Sequence, residues 1–378
     1  MSSTIGNQVR CTVFGQSHSP AIGCVVEGLP AGFAPDLERL SRFMARRAPG
    51  QGPWSTPRKE ADVPRFVSGL NPAGETCGAP LCAVIENTNT RSQDYAELAR
   101  VPRPGHADWP AQKRWGGHQD VAGGGHFSGR LTAPLCVAGG ICLQMLEQKG
   151  VRIAAHLSEV AGIADEPFAF RACDAQGTSA LAAQMDALEK ADFPVIDPAA
   201  GAAMRKAIEA ARRDLDSVGG VVECVASGLP AGVGSPMFDG IENLLSRALF
   251  GIPAVKGLEF GSGFAAARMR GSDHNDPYGW GAAGPAPTKN DAGGILGGIT
   301  TGAPLRFAVA VKPTSSVGRP QASVDLATGS PATLQVKGRH DPCIAPRAVP
   351  VTEAVCALVL MDALVTFSPE TSVWNPGA

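Results

Sequence analysis

Four short segments of this chain place glycine or proline beside histidine, and three of the four also contain arginine. They are residues 15–19, 103–108, 123–130 and 338–342. Glycine lets the backbone approach a ligand closely, histidine changes charge near neutral pH, and arginine is a forked donor to phosphate and carboxylate. These segments predict an acid–base site for a small polyanion, built from loops that are distant in the sequence.

Two histidines are the candidates for proton transfer. His18 follows the predicted strand 9–14 and has the Ser17 hydroxyl beside it, an arrangement that suits a general acid. His106 follows a Pro-Gly turn, and Asp108 lies two residues later, where a carboxylate could orient or charge the imidazole. A turn histidine that serves only its own backbone is the alternative at both positions.

Three further loops offer groups that bind anions. The glycines 123–125 present successive N–H groups ahead of a predicted helix, with Ser128 and Arg130 close behind. The loop 312–316 supplies one cation and three hydroxyls, and residues 339–341 are three adjacent ionisable groups. Ordinary tight turns and solvated loops are the alternatives.

Two other patterns are disfavoured. Residues 261–266 fit G-x-G-x-x-A, but the segment that follows is rich in Gly, Asp, Asn and Pro, whereas a dinucleotide fingerprint opens a helix. Asp273, His274 and Asp276 lack the spacing of a metal site, and we expect no metal.

The composition is that of a globular protein, with 378 residues, 44% apolar and 18% charged. The net charge of −2 gives no electrostatic reason to expect a nucleic acid or membrane partner. Of the 33 basic residues, 24 are arginine, which favours recognition of a small anion. Ten cysteines without a C-x-x-C pair, and no secretory signal, predict reduced thiols and a cytoplasmic location.

The chain also matches itself. Gly-Leu-Pro-Ala-Gly occurs at 28–32 and again at 228–232, and Gly-Ala-Pro-Leu follows in the same order at 78–81 and 302–305. Convergence of similar turns is the alternative to duplication. We predict a mixed α/β fold, as one domain over residues 1–378 with two similar halves (about 5–150 and 215–365) and a helical insert (about 178–216). Helices are predicted at 133–148, 179–190, 200–215 and 351–364, and a long irregular segment at 260–298.

Taken together, these residues resemble the chorismate synthase family from about residue 5 to residue 364. The resemblance is carried by the ordered segments 15–20, 85–88, 91–95, 103–108, 123–130, 216–220, 254–257, 293–298, 312–316 and 338–343. It implies a lyase that eliminates phosphate (1,4-elimination) from 5-enolpyruvylshikimate-3-phosphate to give chorismate, in the shikimate pathway of aromatic amino-acid biosynthesis. It also implies reduced FMN as a cofactor without net redox change, an α+β fold built as a β–α–β sandwich with internal pseudo-two-fold duplication, and a homotetramer.

The resemblance assigns a role to each candidate residue. It implies that His18 protonates the leaving phosphate, that His106 protonates the reduced flavin near N1, and that Asp341 helps flavin N5 to take the C6 proton of the substrate. The implied FMN contacts are His126, Phe127, Ser128, Pro253, Ala254, Gly297, Lys312, Pro313, Thr314, Ser315, Ser316 and Arg339. The implied substrate contacts are Arg103, Arg130 and Arg339, with Arg46, Arg47 and Ser17 near them.

Departures from the family pattern bear on the electron donor. Ala48 and Pro53 stand where members commonly have arginine, and Pro253 stands where asparagine is common. Some members reduce their flavin with NADPH, which needs such cationic groups, and others use an outside reductant. We expect this chain to depend on a separate flavin reductase or other donor. A flavin-dependent oxidoreductase and a non-catalytic anion-binding protein are the rival functions.

Overall fold

A computed structural model describes residues 3–50, 52, 54–55, 62–88, 97–169, 175–281, 284–336 and 341–369. The strands, in chain order, are β1 (Thr4–Ile5), β2 (Arg10–Gly15), β3 (Ala21–Glu27), β4 (Arg65–Ser68), β5 (Leu81–Glu86), β6 (Arg152–Val160), β7 (Ile163–Ala164), β8 (Gly220–Ser227), β9 (Val255–Phe260), β10 (Tyr278–Gly281), β11 (Gly284–Pro287), β12 (Ile295–Leu296), β13 (Ile299–Thr300), β14 (Leu305–Val311), β15 (Gln321–Asp325) and β16 (Ser330–Leu334). The α-helices are α1 (Leu37–Arg47), α2 (Asp108–Trp115), α3 (Thr132–Gln148), α4 (Ala175–Glu189), α5 (Pro198–Arg213), α6 (Ile241–Leu249), α7 (Gly271–His274) and α8 (Ala345–Thr366).

Two five-stranded antiparallel sheets form the outer layers of the fold. Their strand orders are β1-β2-β3-β5-β4 and β7-β6-β8-β14-β9. The alternation of side chains sets their inner faces: in β14, Leu305, Phe307, Val309 and Val311 are buried and the residues between them are partly exposed. The mixture of helices and antiparallel sheets confirms the predicted α+β class.

Helices α3 and α8 lie between the two sheets and form the centre of the core. Helix α3 packs on the first sheet, α8 packs on the second, and the two helices pack on each other. Both are apolar nearly all round, as expected of helices without a solvent face. By length and composition each could cross a membrane, but 83% and 89% of their most apolar windows are buried inside the protein, which is typical of core helices.

The two copies of the internal repeat adopt the same hydrogen-bonded turn. The hydroxyl of Thr76 donates to Pro30 O and its carbonyl accepts from Gly32 N, both at 2.7 Å. The hydroxyl of Thr300 donates to Pro230 O at 2.7 Å, and its carbonyl accepts from Gly232 N at 2.8 Å. The strand orders β2-β3-β5-β4 and β6-β8-β14-β9 correspond as well. The sequence repeat is therefore also a structural repeat.

The second copy contains more of the chain than the sequence boundary at 215 indicated. Strand β6, at 152–160, lies in the second sheet beside β8, and α4 and α5 are inserted between these two strands. Helix α8 begins six residues before the predicted 351, with Pro346 in its first turn, where a missing N–H costs nothing. The segment 260–298 was predicted as irregular, but it contains α7 and the β10–β11 hairpin.

A buried histidine links the start of the inserted helix α5 to the second sheet. His156 on β6 contacts Asp165 through Nδ1 and Glu223 through Nε2, each at 2.8 Å. Asp165 in turn accepts the backbone N–H groups of Ile196 and Asp197 just before α5. Burial opposes charge on the imidazole, but the hydrogen bonds to the two carboxylates outweigh it and raise the pKa of His156. The network thus favours the charged form of the His156 imidazole between two carboxylates.

The contact between α3 and α8 gives a stability prediction. A Cβ added at Gly139 would lie 2.2 Å from Ala354 O, so Gly139→Ala forces the two helices apart. Alanine in a helix interior ordinarily stabilises by about 1 kcal/mol relative to glycine, whereas overpacking costs about 1–3 kcal/mol. We expect a net loss of free energy of unfolding in urea denaturation. The matched control is Gly271→Ala in α7, where an added Cβ meets nothing within 4 Å; equal stability of the two variants would contradict the prediction.

Candidate active site

A turn of three glycines brings the two candidate histidines together. Gly123, Gly124 and Gly125 have φ values of +60°, +84° and +51°, a conformation that side-chain-bearing residues rarely adopt. A Cβ on Gly123 would lie 2.3 Å from the His18 ring, and a Cβ on Gly124 would lie 3.2 Å from His106 Nε2. The two imidazoles therefore pack against successive residues of one turn, although 88 positions separate them in the sequence.

The turn that carries His18 is fixed from both sides. Ser17 donates its backbone N–H to Gly125 O at 3.1 Å, and its buried hydroxyl lies 3.2 Å from His18 Nδ1. On the other side, the amide of Asn87 donates to Gln16 O and Ser19 O at 3.2 and 2.8 Å. These backbone contacts set the position of the His18 imidazole independently of a ligand.

His106 is held by a carboxylate that it shares with an arginine. Both His106 Nδ1, at 2.5 Å, and Arg103 Nη2, at 2.8 Å, point to Asp108 Oδ1. Burial opposes ionisation of Asp108, but hydrogen bonds from Arg103 and His106 outweigh it and hold its pKa well below the usual range. Because Asp108 stays ionised, Nδ1 of His106 carries the donated proton, and Nε2 is left facing Gly124.

The loop after β14 joins the same site. Arg103 Nη1 donates to Ser316 Oγ at 3.1 Å, and a Cβ on Gly105 would meet Ser315 at 3.5 Å. Lys312 N donates to Ala254 O at 3.0 Å, which places the predicted residues Pro253 and Ala254 beside this loop. Five of the implied cofactor contacts thus lie next to the His106 loop or to one another.

Two features of this loop fit the FMN expected from the sequence. Burial, and then the charge of Lys256, lower the pKa of Lys312, and cations in this part of the site suit a phosphate. The hydroxyl of Thr314 is buried and has no hydrogen-bond partner among the described residues, so it is available to a polar ligand edge. A cofactor with a phosphate and a polar ring would provide a partner for the Lys312 ammonium and for the Thr314 hydroxyl.

A single buried carboxylate joins two of the predicted arginines. Asp62 forms an ion pair with Arg47 through one oxygen and with Arg130 through the other. The side chains of all three are at most 5% exposed. Burial, followed by the nearby Arg347 cation, lowers the pKa of Arg47 to about 10. Arg130 also donates to Asn87 Oδ1 at 3.0 Å, which links this cluster to the His18 turn.

Asp341 is connected to this cluster through Arg347. Arg347 donates to Asp341 Oδ2 at 2.5 Å and, through Nε, to the carbonyl of Arg47 at 2.9 Å. The hydroxyl of Ser55 donates to Asp341 Oδ1 at 3.4 Å. The predicted catalytic carboxylate is therefore buried just before α8, beside Arg347 of its first turn and the arginine cluster.

The remaining predicted residues are less closely joined. Arg46 turns away from Arg47 and pairs with Glu353 at 2.7 and 2.9 Å. His126 is exposed, Phe127 packs against Trp115 with ring centroids 5.8 Å apart, and Gly297 has open space where a Cβ would be. Ser128 caps the short turn before α3, and Pro313 is exposed. Arg339 and Pro53 lie outside the described residues.

Sequence reasoning missed three residues that hold the site together. Asp62 and Arg347 both contact Arg47, and Asn87 contacts Arg130. Each of these contacts joins residues that are at least 15 positions apart in the sequence. Asn87 was noted within a family segment but without a role, and Asp62 and Arg347 lie in no motif. The excess of arginine in the predicted site is the one sequence signal that could have indicated a further buried carboxylate. Among the described residues, no group of three or more His, Cys, Asp or Glu side chains is placed to hold a metal ion.

Comparisons with known proteins agree with one another. The family model described as chorismate synthase matches residues 9–365. The chain is 48% identical to the chorismate synthase of Lancefieldella parvula over 99% of both chains, and 44% identical to that of Korarchaeum cryptofilum over 94% of this chain and 96% of the relative. A solved structure described as a crystal structure of chorismate synthase superimposes with a TM-score of 0.72 at 25% identity, and the match covers 95% of this chain and 92% of that one.

The Asp62 cluster gives a second prediction. Asp62→Asn keeps the shape of the side chain but leaves two buried arginines without a carboxylate, and removing one partner from a buried ion pair costs about 3–5 kcal/mol. We expect a loss of this size in denaturant unfolding, with substrate binding lost as well. Asp186→Asn, in the more exposed pair with Arg152, is the matched control and should change stability little. A stable Asp62→Asn protein with unchanged substrate affinity would refute the role of this carboxylate.

Proposed function

The chain belongs to the chorismate synthase family, and we propose that it forms chorismate by 1,4-elimination of phosphate from 5-enolpyruvylshikimate-3-phosphate with reduced FMN. The observation that carries the proposal is the meeting of His18 and His106 on successive glycines, with buried arginines linked to both histidine loops. As a member of this family, the protein is an enzyme and a lyase.

The arginines suit a substrate with one phosphate and two carboxylates. Arg103 and Arg130 each contact one of the two histidine loops: Arg103 lies within 4 Å of a Cβ on Gly124, and Arg130 is linked to the His18 turn through Asn87. Each arginine has a carboxylate partner, but Asp62 serves both Arg47 and Arg130, so this cluster keeps a net positive charge. That excess charge, carried by buried side chains, would attract the substrate polyanion.

The two histidines have different environments and therefore different roles. The Nδ1 atom of His18 lies 3.2 Å from the Ser17 hydroxyl, and we assign to His18 the proton that the leaving phosphate takes. His106 holds one proton at Nδ1 against Asp108 and exchanges the other at Nε2, on the side of Gly124. Asp341, oriented by Arg347 and Ser55, is the carboxylate that assists removal of the C6 proton.

The loop 312–316 would hold the cofactor. Lys312 and Lys256 would bind its phosphate, and the unpartnered Thr314 hydroxyl would bind its polar edge. When bound, reduced FMN would supply an electron-rich ring to the elimination. Around it, Arg103 fixes Ser316, and Gly105 packs on Ser315, so the protein positions the loop and the His106 imidazole as one unit.

The proposal also covers the source of electrons for the flavin and the oligomeric state of the protein. The segment after β9 is a 3-10 helix, Gly263–Arg268, and β9 pairs antiparallel with β14, an arrangement unlike a dinucleotide-binding βαβ unit. This supports an outside reductant in place of NADPH. Exposed aromatic side chains such as Phe238, Phe264 and Trp280 support assembly into a homotetramer, which analytical ultracentrifugation would measure. The cytoplasmic location also stays a proposal.

The central experiment measures phosphate release from the enolpyruvyl substrate without oxygen, with FMN reduced by dithionite. We expect His18→Ala and His106→Ala each to lower turnover about 100- to 10,000-fold, as general acid–base groups do. His118→Ala, at an exposed histidine, is the control and should keep turnover. Near-normal turnover of both variants would overturn the assignment of the histidines.

The same assay tests the electron donor. Because the structure offers no dinucleotide fold at 255–268, we expect the purified protein with FMN and NADPH alone to give little product. Dithionite or an added flavin reductase should restore turnover, and the flavin spectrum should show no net oxidation as product forms. Sustained anaerobic turnover on NADPH alone would show that the proposed outside donor is wrong, and oxidation of one flavin per product would support the rival oxidoreductase.

A further inference from the structure

A second cavity lies at the far end of helix α3 from the candidate active site. It has a volume of about 470 Å³ and is lined by α1, the C-terminal half of α3, strand β6 and the end of α4. The active site uses Thr132 at the start of α3, whereas the cavity uses Gln144 and its neighbours. At 1.5 Å per residue, these two positions are about 18 Å apart along the helix.

The floor of this cavity is apolar. Phe43, Leu143, Val151, Ile153 and Met185 line it. Val151 and Met185 are buried, and the other three are partly exposed to the cavity. The volume falls within the range of about 300–1,000 Å³ that is usual for small-molecule sites. The floor would therefore accept a body the size of one six-membered ring.

The rim of the cavity carries charges of both signs, most of them already paired. Arg39 pairs with Glu147 and, at 3.6 Å, with Glu189. Arg46 pairs with Glu353 at 2.7 Å. These pairs satisfy the carboxylates of the rim.

Two cations of the rim remain available. Arg42 and Lys190 line the cavity and have no ion pair or side-chain hydrogen bond within the part of the chain that the structure describes. The charges of the rim ion pairs largely cancel, so Arg42 and Lys190 set the charge that a ligand should carry, and a neutral ligand would leave them unused. The best match is a single carboxylate.

We propose that this cavity binds a small organic monocarboxylate whose apolar ring rests on Leu143 and Met185 and whose carboxylate pairs with Arg42 and Lys190. The site is separate from the one that holds His18 and His106, and its ligand is neither the substrate polyanion nor the cofactor. Burial of the apolar ring provides most of the binding free energy, and the ion pairs of the carboxylate with Arg42 and Lys190 fix the orientation of the ligand in the cavity.

The test is calorimetric titration of the full-length protein with 3-phenylpropanoate, with propanoate and 3-phenylpropanamide as partial ligands. We expect saturable binding of one 3-phenylpropanoate, and at least tenfold weaker binding of the two partial ligands. Arg42→Gln and Lys190→Gln should each weaken binding about three- to tenfold, since each removes one partly exposed charge contact. Leu143→Trp should abolish binding by filling the cavity.

Matched controls locate the effect. Arg213→Gln and Lys206→Gln change exposed cations on α5 that do not line the cavity, and they should bind the probe like the unmodified protein. Absence of saturable binding would overturn the proposal. So would binding that Arg103→Gln abolishes while Arg42→Gln leaves it unchanged, because the probe would then occupy the active site. Arg42 is exposed, so its variant reports on binding even if Leu143→Trp fails to fold.

Discussion

Direct contact between the backbones of α3 and α8 sets the geometry of the whole molecule. Gly139 lies so close to Ala354 that no side chain fits between them, and each helix carries one of the two sheets on its other face. The adjacent Gly140 allows α1 to approach α3 closely, because Leu40 and Phe43 of α1 occupy the space that a side chain at 140 would need. Two neighbouring glycines thus let three helices meet within one apolar layer, and the distance between the sheets follows from that contact.

The same packing explains where the charged site lies. Arg47 Nε donates to the hydroxyl of Thr132 at the first turn of α3, and its carbonyl accepts from Arg347 in the first turn of α8. The N-termini of both core helices therefore meet at Arg47. Because helix N-termini carry partial positive charge, a site built there favours anions before any side chain is counted. Buried arginines next to these positive helix ends need a carboxylate to offset their charge, and Asp62 provides it for Arg47 and Arg130.

Local patterns predicted the elements and the histidines, but not the contacts that join them. The repeated Gly-Leu-Pro-Ala-Gly turn predicted the duplication, because the same backbone shape demands the same residues. The apolar character of α3 and α8 predicted their burial. Asp62 could not be found in this way, since a lone aspartate in an unpatterned stretch acquires its partners only when α1 and the Arg130 turn pack together. The start of α8 was missed because Pro346 and Pro350 argue locally against helix. Pro346 costs nothing in the first turn, and burial of the surrounding apolar residues outweighs the cost of Pro350.

The duplicated scaffold is symmetric, but the chemistry placed on it is not. Strands β3 and β8 occupy equivalent central positions and end in the same turn, yet both candidate histidines come from the first copy. The second copy contributes Asp341 and the loop after β14. Duplication therefore brings the N-termini of α3 and α8 to one site. The loops of the two copies have diverged, so each copy contributes different side chains to that site. The turn at Gly123 and Gly124 completes this division, because only residues without side chains leave room for imidazoles from two separate loops. A side chain at Gly123 would displace His18 and Ser17 first, so the spacing of the two proton-carrying groups depends on this one turn.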